Sequence, residues 1–245
     1  MPQTKIVFIH GFTQTAKSYA TFKKNYGKLW ETAELPGHGK AKPLSSEETG
    51  KAAVARLVKK YKRAVYGGYS MGARLAMRTA LEYPGVTAGL ILVSATAGIR
   101  DPKERESRRL SDEMLAKRIR HSEPEEFLRE WLSLPMFADL SPEQANVEAR
   151  LAYDRNNLAD TLLKLSPGVE EPMWELLPLL SLHAIPVLIL AGAKDKKYCK
   201  IAYELKDVIG DLAELHIIEN CGHAVLAEKP DEALAHIKLF TAKCR

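Results

Sequence analysis

Gly68-Tyr69-Ser70-Met71-Gly72 stands between the apolar run Arg63-Ala64-Val65-Tyr66-Gly67 and a stretch, 71–82, that reads as a helix ended near Tyr83-Pro84-Gly85. Strand, glycine-flanked serine and helix in that order form a sharp turn that lifts a serine hydroxyl above the end of a sheet. A glycine-rich loop whose serine only caps the helix is the plain alternative.

The same alternation continues on both sides. Ile6-Val7-Phe8-Ile9, Leu90-Ile91-Leu92-Val93-Ser94, Val187-Leu188-Ile189-Leu190-Ala191 and Leu215-His216-Ile217-Ile218 are short β-rich runs separated by helical stretches, and the chain closes on a helix over about 230–242. That pattern predicts an α/β fold, a mostly parallel sheet flanked by helices. From about 98 to 182 the β-rich runs vanish, and the sequence becomes charged, amphipathic and broken by prolines such as Pro102, Pro124, Pro135 and Pro167. The expected organisation is one core, 1–97 and 183–245, with a helical cap inserted at 98–182, where a lid over an active site belongs.

Composition sets outer limits. The 245 residues are 46% hydrophobic and 27% charged, with 15 Gly and 13 Pro, which excludes a disordered or collagen-like chain. No apolar run approaches the roughly 20 residues that span a bilayer, and the first residues lead into a strand rather than a signal peptide, so a cytoplasmic protein without a membrane role is expected. The three cysteines, Cys199, Cys221 and Cys244, are odd in number and lack zinc-site spacing, which fits reduced thiols. Lys plus Arg number 36 against 31 Asp plus Glu, a formal charge of +5. With no nucleic-acid motif and no basic run interleaved with aromatics, that excess points to a small anionic metabolite rather than nucleic acid. The sequence leaves the oligomeric state open.

A reactive serine needs a base and a group that orients the base. Asp195, in Ala191-Gly192-Ala193-Lys194-Asp195, and His223, in Glu219-Asn220-Cys221-Gly222-His223, both follow predicted strands, at the carboxyl ends where ligand-facing loops gather. Taken alone, Asp195 equally suits a helix cap and His223 a surface loop. An oxyanion needs two backbone N–H donors; Met71, next after Ser70, supplies one, and Phe12 in His10-Gly11-Phe12 is placed for the other, with His10 orienting that loop. His121, His183, His216 and His236 lack carboxylate or cysteine neighbours at ligand spacing, so no metal site is expected. Tyr69 and Arg74 stand beside the serine. Arg74 lies four residues on, on the same helix face, and its planar fork suits a carboxylate, though a surface arginine reads the same.

These residues resemble the α/β-hydrolase superfamily over essentially the whole chain: His10-Gly11-Phe12, Leu35-Pro36-Gly37-His38-Gly39, the turn at Ser70, the 192–195 turn and Cys221-Gly222-His223. A narrower resemblance is to the 2-succinyl-6-hydroxy-2,4-cyclohexadiene-1-carboxylate (SHCHC) synthases of menaquinone biosynthesis. It rests on Gly68-Tyr69-Ser70-Met71-Gly72-Ala73-Arg74, on Gly98-Ile99 with the arginine-rich run 104–112, on Trp131 with Pro135-Met136-Phe137-Ala138, and on Asn156-Asn157-Leu158-Ala159.

The resemblance implies a cofactor-free lyase that eliminates pyruvate from 2-succinyl-5-enolpyruvyl-6-hydroxy-3-cyclohexene-1-carboxylate (SEPHCHC). Ser70, polarised by His223 and Asp195, would act as a base on a ring proton. It also implies that Tyr69, Arg74, Arg105, Trp131 and a second cap arginine bind substrate; Arg155 is the choice, with Arg150 fitting almost as well. The chain departs from the family in Ala73, where a second glycine is usual, and in Glu34, where many members carry Asp. It also begins almost at its first strand, without one or both leading strands of the larger sheet. Two other readings remain: a serine hydrolase of esters or carbon–carbon bonds using the same triad, and a ligand-binding receptor without turnover.

Overall fold

The computed structural model describes residues 4–244. Six strands, β1 (Ile6–Ile9), β2 (Trp30–Ala33), β3 (Ala64–Tyr69), β4 (Thr87–Val93), β5 (Val187–Gly192) and β6 (Ala213–Ile218), form one sheet in the order β2-β1-β3-β4-β5-β6. Every neighbouring pair is parallel. The helices are α1 (Ala20–Tyr26), α2 (Gly50–Tyr61), α3 (Met71–Glu82), α4 (Pro102–His121), α5 (Pro124–Leu132), α6 (Pro142–Ala145), α7 (Val147–Arg150), α8 (Arg155–Lys164), α9 (Pro178–Leu182), α10 (Lys196–Ile209), α11 (Val225–Glu228) and α12 (Pro230–Thr241).

The period of two along each strand divides the core. Val7, Ile9, Tyr66, Leu90, Leu92 and Ile189 pack on one face against Leu75, Met77 and Leu205 of α3 and α10. Ile6, Phe8, Val65, Ile91, Val93 and Leu190 pack on the other against Phe22, Ile237 and Phe240 of α1 and α12. Burial on both faces explains why these strands read as unbroken apolar runs. The edge strands β2 and β6 are half-buried along their middles, and β2 is the plainer exception. Trp-Glu-Thr-Ala carries no such run, and its place at the sheet edge leaves Glu31 and Thr32 half-buried. It is held by Trp30, which stacks between Phe8 and Phe22 with both ring centroids 5.1 Å away.

The segment between β4 and β5 is helical and lies against the loops that follow β1 and β2. The Thr161 hydroxyl donates to Pro36 O at 2.7 Å, Gly39 N to Ala152 O at 2.9 Å, and the Thr15 hydroxyl to Ala149 O at 3.1 Å. Its far end is tied back by Met173 N to Ala97 O, 2.7 Å, and by Trp174 Nε1 to Gly98 O, 2.9 Å. No helix among the described residues is long and apolar enough to cross a membrane.

Candidate active site

Ser70 sits between β3 and α3 with φ +52°, a left-handed conformation that a non-glycine residue adopts only where its surroundings impose it. Those surroundings are the two glycines. A Cβ on Gly68 would lie 2.3 Å from the Gly72 carbonyl, and a Cβ on Gly72 would lie 2.2 Å from Ile9 O at the end of β1. The backbone of α3 therefore starts against the neighbouring strand, and Ser70 is pushed out at the sheet's carboxyl end.

His223 and Asp195 meet it there, each from the loop after a strand. Ser70 Oγ lies 3.4 Å from His223 Nε2, and His223 Nδ1 lies 2.7 Å from Asp195 Oδ2. The His223 ring is almost wholly buried, with Tyr198 edge-on at 4.5 Å and Tyr69 tilted against it at 5.3 Å between centroids. A serine, an imidazole and a carboxylate in this chain of contacts can move a proton from or to whatever the hydroxyl meets.

Met71 and Phe12 both line the same cavity, and neither backbone N–H has an acceptor among the described residues. Met71 is the first residue of α3, where N–H groups have no helical partner. Phe12 is held by the turn it belongs to. Gln14 Oε1 accepts the Gly11 N–H at 3.0 Å, and His38 Nε2 accepts the Thr13 N–H at 3.2 Å. His10 lies beneath the turn, with Nδ1 2.8 Å from Gly11 O and Nε2 2.8 Å from Glu34 Oε2. Burial raises the Glu34 carboxyl, but hydrogen bonds from His10 and from Ala16 N–H outweigh it and leave the group below its ordinary value. Burial, with His10 beside it, holds His38 down at about 3, so its ring is neutral and free to accept the Thr13 N–H.

The cavity encloses about 550 Å³. Phe12, Leu115, Trp131, Phe137 and Leu162 give it an apolar wall. Five basic side chains, Arg74, Arg108, Lys194, Lys196 and Lys197, line it against three acidic ones, Asp112, Asp139 and Asp195. Trp131 packs edge-on to Phe12 at 5.4 Å, and its indole N–H is buried without an acceptor among the described residues. Tyr69 likewise lines the cavity with a buried, unpartnered hydroxyl, whose pKa burial raises well above its ordinary value.

The arginines divide differently from the sequence expectation. Arg74 lines the cavity, but it is buried and already engaged: Nη2 donates to Leu165 O, and Nε lies 3.7 Å from Glu170, which Arg78 also approaches at 3.5 Å. Burial lowers its pKa against the pull of Glu170. Arg105 does not line the cavity; it pairs outward with Glu171 at 3.0 Å. Arg155 does not line it either, donating to Ser122 O at 3.0 Å. Arg150 is buried on the other side of the Phe12 turn. The cavity arginine of α4 is Arg108, whose Nε lies 2.8 Å from Asp112 Oδ2; Asp112 Oδ2 also accepts the Ser166 hydroxyl at 2.6 Å. Arg108, Asp112 and Leu115 stand at i, i+4 and i+7 on one helix face, a periodicity already present in the sequence. Tyr198 was signalled in the same way, one turn beyond Asp195.

All three cysteines are free, and burial pushes the Cys221 thiol up to about 12. No group of three or more His, Cys, Asp or Glu among the described residues is placed to hold a metal ion.

Comparison with known proteins agrees with this architecture. The family described as Alpha/beta hydrolase family matches residues 6–237. The chain is 31% identical over 237 residues to 2-succinyl-6-hydroxy-2,4-cyclohexadiene-1-carboxylate synthase of Salmonella paratyphi A, covering 92% of this chain and 88% of that protein. Among solved structures it superposes on MenH from S. aureus with a TM-score of 0.88 at 28% identity, covering 99% and 95% of the two chains. A thermophilic esterase from Thermogutta terrifontis shares the fold, with a TM-score of 0.79 at 22% identity and coverage of 98% and 90%.

Proposed function

This chain belongs to the alpha/beta hydrolase family, and from that premise we propose that it is a lyase that eliminates pyruvate from SEPHCHC to give SHCHC in menaquinone biosynthesis. One observation carries the proposal: the Ser70–His223–Asp195 chain opens into a cavity with an apolar wall and an excess of basic side chains, in a protein 31% identical to a named SHCHC synthase.

The change is a 1,4-elimination. Ser70 Oγ removes the ring proton beside the succinyl ketone and passes its own proton to His223 Nε2, while Asp195 steadies the imidazolium. The electron pair closes a double bond in the ring, the existing double bond shifts, and the enolpyruvyl C–O bond breaks. The leaving enolate takes up the proton left on His223 and becomes pyruvate, and no water attacks. Phe12 N–H and Met71 N–H stabilise the ketone oxygen as it gains enolate charge. Arg74 and Arg108 meet the substrate carboxylates, since burying these in a closed site requires cationic partners. Trp131 and Tyr69 shape the ring pocket, and the segment 98–182 acts as the cap that keeps water out. Arg105 and Arg155 have no direct part in this reading, because neither lines the cavity.

The test supplies the purified protein with SEPHCHC and, separately, with a panel of short acyl esters. Pyruvate release well above ester hydrolysis supports the lyase. The reverse order replaces it with a serine esterase, and binding of SEPHCHC without turnover replaces it with a receptor.

A further inference from the structure

We propose that a second, smaller cavity behind the 11–14 turn binds a small monovalent anion, a halide or a short carboxylate, on the guanidinium of Arg150, and that its occupancy steadies the turn presenting the Phe12 N–H. This cavity of about 160 Å³ lies between the segment after β1, the helices α6 and α7, and the start of α12. It is several times the volume of one water and far smaller than the cavity at Ser70.

Arg150 lines this space yet is only 4% exposed. Its Nε donates to Ala145 O at 2.6 Å and its Nη1 to the Thr13 hydroxyl at 2.9 Å. Both acceptors are neutral, and no carboxylate lies within ion-pair distance of Arg150 among the described residues. A buried cation without a counter-charge is costly, and here burial pulls the guanidinium below its ordinary pKa with only Tyr69 and Tyr19 acting the other way. The guanidinium retains donors beyond those two bonds. Further donors border the same space. Gln14 and Asn146 each spend the amide oxygen on a backbone N–H, of Gly11 at 3.0 Å and of Ala149 at 3.3 Å, which leaves each amide NH₂ for a ligand. The only carboxylate on the cavity wall, Glu143, is at the exposed rim and accepts the Ser141 hydroxyl at 2.8 Å.

The site connects to the chemistry through Thr13. That β-branched residue is held at φ +66°, a strained conformation that persists only when its neighbours over-determine it. Arg150 grips its hydroxyl, and Gln14 grips Gly11 at the other end of the turn. Both grips thus come from groups that face the cavity, so an anion there fixes them together.

The test exchanges salts at constant ionic strength on the full chain, replacing gluconate, a bulky polyhydroxy anion, with chloride or acetate. Tm should rise saturably, by about 3–5 °C at ten times the dissociation constant. Bromide soaked into crystals should give an anomalous peak beside the Arg150 guanidinium. These two readings do not depend on the identity of the substrate. In turnover, kcat should rise with the same half-saturation while KM stays constant. A response to chloride alone marks a halide site, and a response to acetate marks a carboxylate site. Ala227→Leu, which fills the cavity from α11, should abolish the anion dependence and keep the activity measured in gluconate. Glu143→Gln, which removes the rim carboxylate, should lower the half-saturating concentration. Equal Tm in all three salts with no bromide at Arg150 overturns the proposal, as does an Ala227→Leu variant that keeps the full chloride response.

Discussion

Asp195 divides its carboxylate: Oδ2 lies 2.7 Å from His223 Nδ1, while Oδ1 accepts the Tyr198 N–H at 3.2 Å and caps α10. The two contacts that the sequence left open for this residue, to a histidine and to a helix start, are therefore both made, one by each oxygen. The cap anchors the acid: the first turn of α10 holds the carboxylate in place, and the helix dipole favours its charge.

The two roles separate by mutation. Asp195→Asn keeps an acceptor for Tyr198 N–H but favours the wrong imidazole tautomer, so turnover should fall by about 10³–10⁴-fold with Tm nearly unchanged. Asp195→Ala should lose the same turnover and a further ~1 kcal/mol of stability, because the cap is gone. Pyruvate-release assays and urea unfolding on both variants check this; an active Asp195→Asn enzyme would remove the acid from the relay.

Arg108 faces the cavity where Arg105 does not. Arg108→Met should raise KM for the carboxylated substrate about tenfold or more, the cost of one lost charge-assisted contact, and Arg105→Met should change KM little. Steady-state kinetics on the pair decides between them, and equal effects would mean that these α4 arginines act through the general field alone.

Gly72 leaves no space for a methyl group, since the nearest atoms are the carbonyl oxygens of Ile9 and His10 at 2.2 and 2.4 Å. Gly72→Ala must move either α3 or the end of β1, the strand that leads into the Phe12 turn. Stability should fall by about 1–3 kcal/mol, and activity should fall further than Tm alone explains. A variant of unchanged Tm would show that the helix start has room that the packing denies.

Acid should weaken the fold through His38. With its pKa held at about 3 against an ordinary 6.5, the unfolded chain binds a proton that the native state refuses throughout that interval. Stability therefore declines as pH falls from 6.5, by up to about 1.4 kcal/mol per unit from this group. Glu34, shifted below its ordinary value, adds a loss of the same sign at lower pH. In His38→Gln the decline between pH 6.5 and 5 should flatten, as read by unfolding free energies at each pH; parallel curves would assign the acid sensitivity elsewhere.

The fold class was legible because four of the six strands, β1, β3, β4 and β5, are buried on both faces and carry unmistakable apolar runs. Strand β2 escaped, since an edge strand of four residues with Glu31 and Thr32 half-buried has no run to read, and only the aromatic stack around Trp30 betrays it. The meeting of Ser70, Asp195 and His223 was suggested by chain order and strand-end placement, which local sequence carries. The arginines were harder. Whether a helical arginine faces inward depends on the rotation of α4 against α8, which turns Arg108 to the cavity and Arg105 to Glu171. Nor does spacing reveal that Arg74 already has Leu165 O and Glu170 as partners, 91 and 96 positions along the chain.

The central claim is that Ser70 takes a proton rather than an acyl group. Substrate deuterated at the ring carbon beside the succinyl ketone, turned over and acid-quenched for intact-protein mass, tests it most directly. The account predicts a normal primary isotope effect on pyruvate release and an unmodified protein mass. A covalent adduct on Ser70, formed at a rate indifferent to the deuterium, would contradict it.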